Sequence, residues 1–198
     1  DDKEIRPVEE IAALFSLKDI NKAPAYFDMK KLFHINAEYI RALSPEAFSE
    51  IATQYFQLTG WEPINLDFDV LSDLSSSIQE RIEKLADIVK LVDWLFNEEP
   101  VVETDPKEMK KISKSMSADK VADVLDLAIE QLEKCDWNEE VIGETINGIG
   151  HSLETKSQVP IRVAVTGRRI GLPLFKPMEI LGRQKVVTRL KKARADLG

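Results

Sequence analysis

Cysteine is nearly missing from this chain of 198 residues: Cys135 stands alone, so no internal disulfide can form. It lies in the half-apolar helical segment AIEQLEKC, which reads as a site for a packed thiol and not a nucleophile. Histidine is as scarce, and neither His34 nor His151 sits in a recognised metal-ligand spacing; both read as structural. No apolar run approaches the roughly 18 residues that cross a bilayer, and the opening DDKEIRPVEE lacks the basic, then apolar, layout of a secretory signal. A cytoplasmic protein without a membrane partner is expected. Alternating strand patterns are also absent, so no parallel sheet is expected to carry a nucleotide-binding crossover.

What the chain does have is helical periodicity. Apolar residues make up 43% and charged residues 31%, enough of the first to fold and enough of the second to stay in water. Proline opens a helix over Pro7 to Leu17, and acids follow it. A second helix over Phe27 to Leu43 places Leu32, Ile35, Tyr39 and Ile40 on one side. Ser44-Pro45-Glu46 provides an N-cap with proline at N1, and Gly60 stops that helix. WEPINLD, from Trp61, reads as a loop. A long helical stretch runs from Phe68 to Phe96, and its second half is the clearest amphipathic pattern in the chain. NEEPVVETDPKE, from Asn97 to Glu108, reads as an inter-lobe linker. Beyond it come SADKVADVLDLAIEQLEKC and NEEVIGETINGIGHSL, then a loop PIRVAVTGRRIGLPLFKP and a last helical run from Met178. The fold class is therefore all-α with two helical-bundle lobes: residues 1–43 as leading helices, 44–100 as a first lobe and 107–198 as a second.

KISKS, Lys111 to Ser115, is close in wording to the mobile ATP-phosphate loop of class I aminoacyl-tRNA synthetases. That loop works on a parallel nucleotide fold opposite a histidine motif, and neither is legible here. A basic connection before a helix that Ser117 or Asp119 could cap explains the same letters. VTGRRIG does not match phosphate-loop spacing either, so no catalytic residue is assigned. The net charge of -8 is uneven: residues 161–198 carry +8 and the preceding 160 carry -16. An acidic body with a basic end can present a local phosphate-attracting face.

Two stretches carry more than periodicity. Lys22 to Arg41, KAPAYFDMKKLFHINAEYIR, resembles the segment after the catalytic fold of bacterial-type glutamyl-tRNA synthetases, approximately SPAxFDxxKLxWxNxxYIR. Arg162-Val163-Ala164-Val165-Thr166-Gly167, then Gly171-Leu172-Pro173-Leu174-Phe175 and Met178 to Gly182, resembles that family's RxAxTG…PxLF…LG run. The order and separation also match, so the resemblance covers essentially the whole chain. In the family the true ATP loop precedes the FDxxKL segment, whereas KISKS follows it by about eighty residues. KISKS is thus a decoy, and the chain is expected to begin after the active site, as a C-terminal region inactive by itself.

The resemblance implies a stem-contact remnant over 1–43 and two helical anticodon-binding lobes. Their partner would be tRNA(Glu), not DNA, and the chain a monomer. No cofactor is implied for this chain; ATP with magnesium belongs to the absent catalytic domain of a glutamate-tRNA ligase. Arg162 matches the anticodon-contacting arginine, and Gly171, Leu172 and Leu174 match the loop packing on anticodon bases, with Gly171 standing where some members carry threonine. Arg81 matches the arginine that reads the last anticodon base, and Lys84, one turn on, is the competing assignment. A guanidinium fork grips a base edge as a point charge cannot. Arg183, Lys185, Arg189, Lys191 and Lys192 would add nonspecific phosphate attraction. The rival reading, from composition alone, is a helical protein-protein adaptor whose acidic first lobe meets a basic partner.

Overall fold

The computed structural model describes residues 4–20, 23–24, 26–60, 68–98 and 116–197. Ten α-helices and no strand occur among them: α1 (Val8–Leu14), α2 (Met29–Arg41), α3 (Pro45–Thr59), α4 (Phe68–Gln79), α5 (Ala86–Phe96), α6 (Ala118–Leu132), α7 (Glu139–Ser152), α8 (Gln158–Thr166), α9 (Phe175–Leu181) and α10 (Arg183–Ala195). A 3-10 turn, Leu17–Asp19, follows α1. No described helix is long and apolar enough to cross a membrane.

Short polar side chains start most of the longer helices by accepting amide groups that the first turn leaves unpaired. Asp28 Oδ1 accepts from the amides of Lys30 and Lys31 at 2.9 and 3.2 Å and starts α2. Ser44, Ser117 and Asn138 do the same for α3, α6 and α7, at 3.2, 3.4 and 3.0 Å. Gly60, at φ 67°, ends α3 in the left-handed region where glycine carries no Cβ penalty.

Helices α2, α3 and α4 bury Ile40, Phe48, Phe56, Leu71 and Ile78 between them, each at most 6% exposed. Helix α10 lies on α6 and α8, and α9 on α7, around Leu132, Ile142, Ile146, Val165 and Leu190, all fully buried. Helix α5 meets α9, so the buried side chains form one continuous cluster across both lobes. Each large apolar side chain so removed from water contributes about 1.5–3 kcal/mol before chain entropy is charged against it.

Four sequence expectations change. The stretch from Phe68 to Phe96 is two helices and not one, with a turn over 80–85. Periodicity ran through the break because Ile82, inside the turn, is as buried as Ile78 and Ile88. The turn's polar groups find partners elsewhere: Asn36 Nδ2 donates to Glu83 O at 2.6 Å, and Asp87 Oδ2 accepts from the amides of Glu83 and Lys84 at 3.3 and 3.2 Å. The stretch read as a loop from Pro160 begins with α8, because proline near a helix start lacks only an amide that would be unpaired there. The last helical run breaks at Gly182, whose φ of 87° excludes it from α9 and α10 alike. Helix α1 also stops at Leu14, short of Leu17. KISKS, the loop from Trp61 and the linker beyond Glu98 lie outside the described residues.

Candidate nucleic-acid interface

Helix α8 carries Arg162, which ends half-buried where the second lobe faces α5. Its Nη1 donates to the Leu172 carbonyl at 2.6 Å, fixing the guanidinium against the 167–174 turn. Burial first, and the nearby positive charge of Arg81 second, push this group below the ordinary arginine range. The charge stays on, since arginine holds its proton far above neutral pH.

A hollow opens beside Arg162, with Lys90 and Leu91 of α5 on one side and Arg168, Ile170 and Gly171 on the other. Lys90 is exposed, and Ile170 is 65% exposed among these cations. An added Cβ at Gly171 would meet only Arg162 Nη1, at 3.9 Å, in ordinary van der Waals contact. Cationic forks around an apolar shelf are the elements that hold unpaired nucleotides: charge meets phosphate and the shelf meets a base face.

Arg81 lies just past α4 and is exposed; its Nη1 donates to Ser77 O at 2.9 Å and to Glu80 Oε2 at 3.3 Å. The competing residue, Lys84, is turned toward α2, with its ammonium 5.0 Å from the centre of the Phe33 ring. Of the two, it is Arg81 whose charge acts on Arg162.

Several expected contacts move. Leu172 and Leu174, read as ledges for bases, are core residues at 2% and 3% exposed, so their side chains have no free face. Ile170 offers the open apolar surface instead. Arg189, read as a free phosphate attractor, is 5% exposed. It donates Nη1 to Val165 O at 2.8 Å and Nη2 to Asn97 O at 2.6 Å, so it occupies the carbonyl-rich ends of α8 and α5 together. Its Nε is buried without a partner, and desolvation lowers its pKa. Arg183 is exposed but engaged, donating to Cys135 O and lying 5.6 Å over the Trp137 ring. Lys191 pairs with Glu133 at 2.6 Å. Lys185 and Lys192 are exposed. Of these five, Arg189 alone is withdrawn into the fold, while Arg183 and Lys191 stay at the surface but are engaged by neighbours. Sequence reasoning passed over Lys90, Arg168 and Ile170; the RRI between Gly167 and Gly171 was the available signal, a basic pair and an apolar residue in a turn.

This geometry sits within residues 38–194, which match the anticodon binding domain family. The chain belongs to that family. The match spans both lobes and every residue of the hollow, and leaves α1 and most of the leading segment outside it. Among curated relatives, the glutamate--tRNA ligase of Frankia casuarinae is 40% identical over 199 residues, covering 98% of this chain and 41% of that protein. That of Streptomyces griseus is 38% identical over 203 residues, covering 100% and 39%. The chain thus spans about two fifths of the length of the curated relatives it matches. Among solved structures, a glutamate tRNA ligase from Elizabethkingia meningosepticum superposes with a TM-score of 0.78 at 23% identity, over 99% of this chain and 38% of that one. The glutamate-tRNA synthetase of Elizabethkingia anophelis gives 0.71 at 21%. These two likenesses speak to the fold: the arrangement of helices is shared.

Proposed function

We propose that this anticodon-binding chain grips the anticodon arm of tRNA(Glu), as the part of a glutamate-tRNA ligase that selects the transfer RNA while the rest of the enzyme joins glutamate to it. The observation that carries this reading is the hollow between α5 and the 167–172 turn, where Lys90, Arg162 and Arg168 line the surface around the exposed Ile170. Arg162 is held by a carbonyl, next to a like charge, beside an exposed isoleucine. Like charges brought together repel, so the arrangement is suited to a polyanion that neutralises them. The relatives' activity supports the choice of transfer RNA, and the resemblance of Arg162–Gly167 to glutamyl-tRNA synthetases supports Arg162 as a contact.

On this reading ATP and magnesium act in the ligase's remaining length, and this chain alone performs no exchange of pyrophosphate into ATP with glutamate. It works in the cytoplasm, as a monomer, on RNA and not DNA. The test is titration with an anticodon hairpin carrying the glutamate anticodon against a scrambled hairpin, at several salt concentrations. The expected result is preference for the first and weakening as salt rises, with Arg162→Ala costing about 1–3 kcal/mol. Equal affinity for both hairpins removes the reading.

A further inference from the structure

One ion pair at the junction draws its halves from different lobes. Arg168 follows Gly167, the left-handed residue at φ 74° that ends α8. Its guanidinium forks onto the Asp93 carboxylate of α5 at 2.7 and 2.8 Å and also donates to the Lys90 carbonyl. The two side chains are 21% and 16% exposed, so water and salt screen the pair less than a surface bridge. A planar fork fixes direction as well as distance, which a single-point contact does not.

Each half is tied to one of the two arginines of the site. On the α8 side, Thr166 Oγ1 lies 2.8 Å from Arg162 O and accepts the Arg168 amide at 3.1 Å, so the turn bearing Arg168 is stitched to the helix bearing Arg162. On the α5 side, Asp87 holds the amides of Glu83 and Lys84, so the turn that begins with Arg81 is anchored to α5. Arg81 and Arg162 carry like charges, so a junction that holds them on facing elements gains from a restraint between α5 and the 167–172 turn. The Arg168–Asp93 fork provides that restraint.

We infer that Arg168, acting through Asp93, is a positioning residue that sets the separation of Arg81 from Arg162, and with it the discrimination between anticodons. This rests on reading the junction as the anticodon site. The alternative is that Arg168 simply touches phosphate, with Asp93 a competitor for its charge. The two differ in sign. Removing the Asp93 charge takes away the carboxylate that competes for Arg168 and tightens RNA binding if Arg168 is a phosphate contact, whereas it loosens the site if the fork is a clamp.

The experiment uses the full chain, Asp93→Asn, Arg168→Asp and the charge swap Asp93→Arg with Arg168→Asp, with far-UV circular dichroism showing that each folds. Binding is measured to a hairpin with the glutamate anticodon and to one with its last anticodon base changed. Asp93→Asn is expected to weaken the first by roughly tenfold and the second far less, with the salt slope unchanged, because misplacing a contact costs affinity without removing a phosphate neutralised. The swap is expected to recover most of the discrimination. Amide exchange over 86–96 should quicken in Asp93→Asn without RNA present, while that over 139–152 stays as it was. Tighter binding of both hairpins by Asp93→Asn, or a salt slope lowered by about one in Arg168→Asp, overturns the clamp. Unchanged exchange over 86–96 also overturns it. If the unaltered chain does not distinguish the hairpins, the anticodon reading fails together with the discriminating role, while the exchange result still reports on the fork by itself.

Discussion

At and after α1, Leu14, Phe15 and Leu17 are 63%, 64% and 76% exposed, whereas in the carboxy-terminal lobe even an arginine, Arg189, is 5% exposed. Both regions are helical and both carry a helical apolar pattern. In residues 4–39 the order comes from local and surface polar contacts: Asp28 caps α2, Lys31 meets Glu4 at 2.7 Å, and Tyr39 donates to Arg6 O. Helix α1 buries no residue at all. In residues 116–197 the order comes from packing, dense enough that a guanidinium is enclosed and its donors pass to backbone carbonyls. An amphipathic stripe therefore says that a helix forms, and it does not say that the stripe is covered.

Substitutions that separate packing from local order sharpen this contrast. The largest effect is expected at Ile146, fully buried in α7, where Ile146→Ala should cost about 2–5 kcal/mol by denaturant titration. A cost below about 1 kcal/mol would break the contrast at its strongest point. Arg189→Met should cost about 2 kcal/mol, since the Val165 and Asn97 carbonyls lose their donor, with little change between low and high salt. If the loss shrinks steeply with salt, the arginine acts as a surface charge after all. Asp28→Ala should remove about 1 kcal/mol from α2, seen as faster amide exchange in its first turn and little change in residues 116–197. The smallest effect belongs to Phe15→Ser, within about 0.5 kcal/mol of the unaltered chain, together with weaker binding of a hydrophobic dye. A large loss there would show that the exposed residues carry stability.

The candidate site was legible in part. Arg162 was reachable from the sequence because it sits in a stretch whose wording is shared with a family, whereas Arg81 was one of two assignments on its helix and only the fold turned its rival, Lys84, toward the Phe33 ring. Leu172 and Leu174 came from the same wording, but matching letters do not report on which face of a turn a side chain lies. Arg189 was misread because charge was counted along the chain, and a formal charge carries no record of being buried. Arg168 was passed over because its partner, Asp93, is 75 residues away.

The amino-acid sequence by itself determined α2, α3, α6 and α7 and the caps that start or stop them. Ser44, Ser117, Asn138 and Gly60 act on amides or carbonyls within a few residues, so their effect is readable without knowing the rest of the molecule. The tertiary structure alone decided that the stretch through Ile82 bends, that an arginine of α10 closes the ends of α8 and α5, and that Arg168 forks onto Asp93. Those outcomes depend on which surfaces come together at long range, and packing overrides local preference wherever a buried group must find its partner far along the chain.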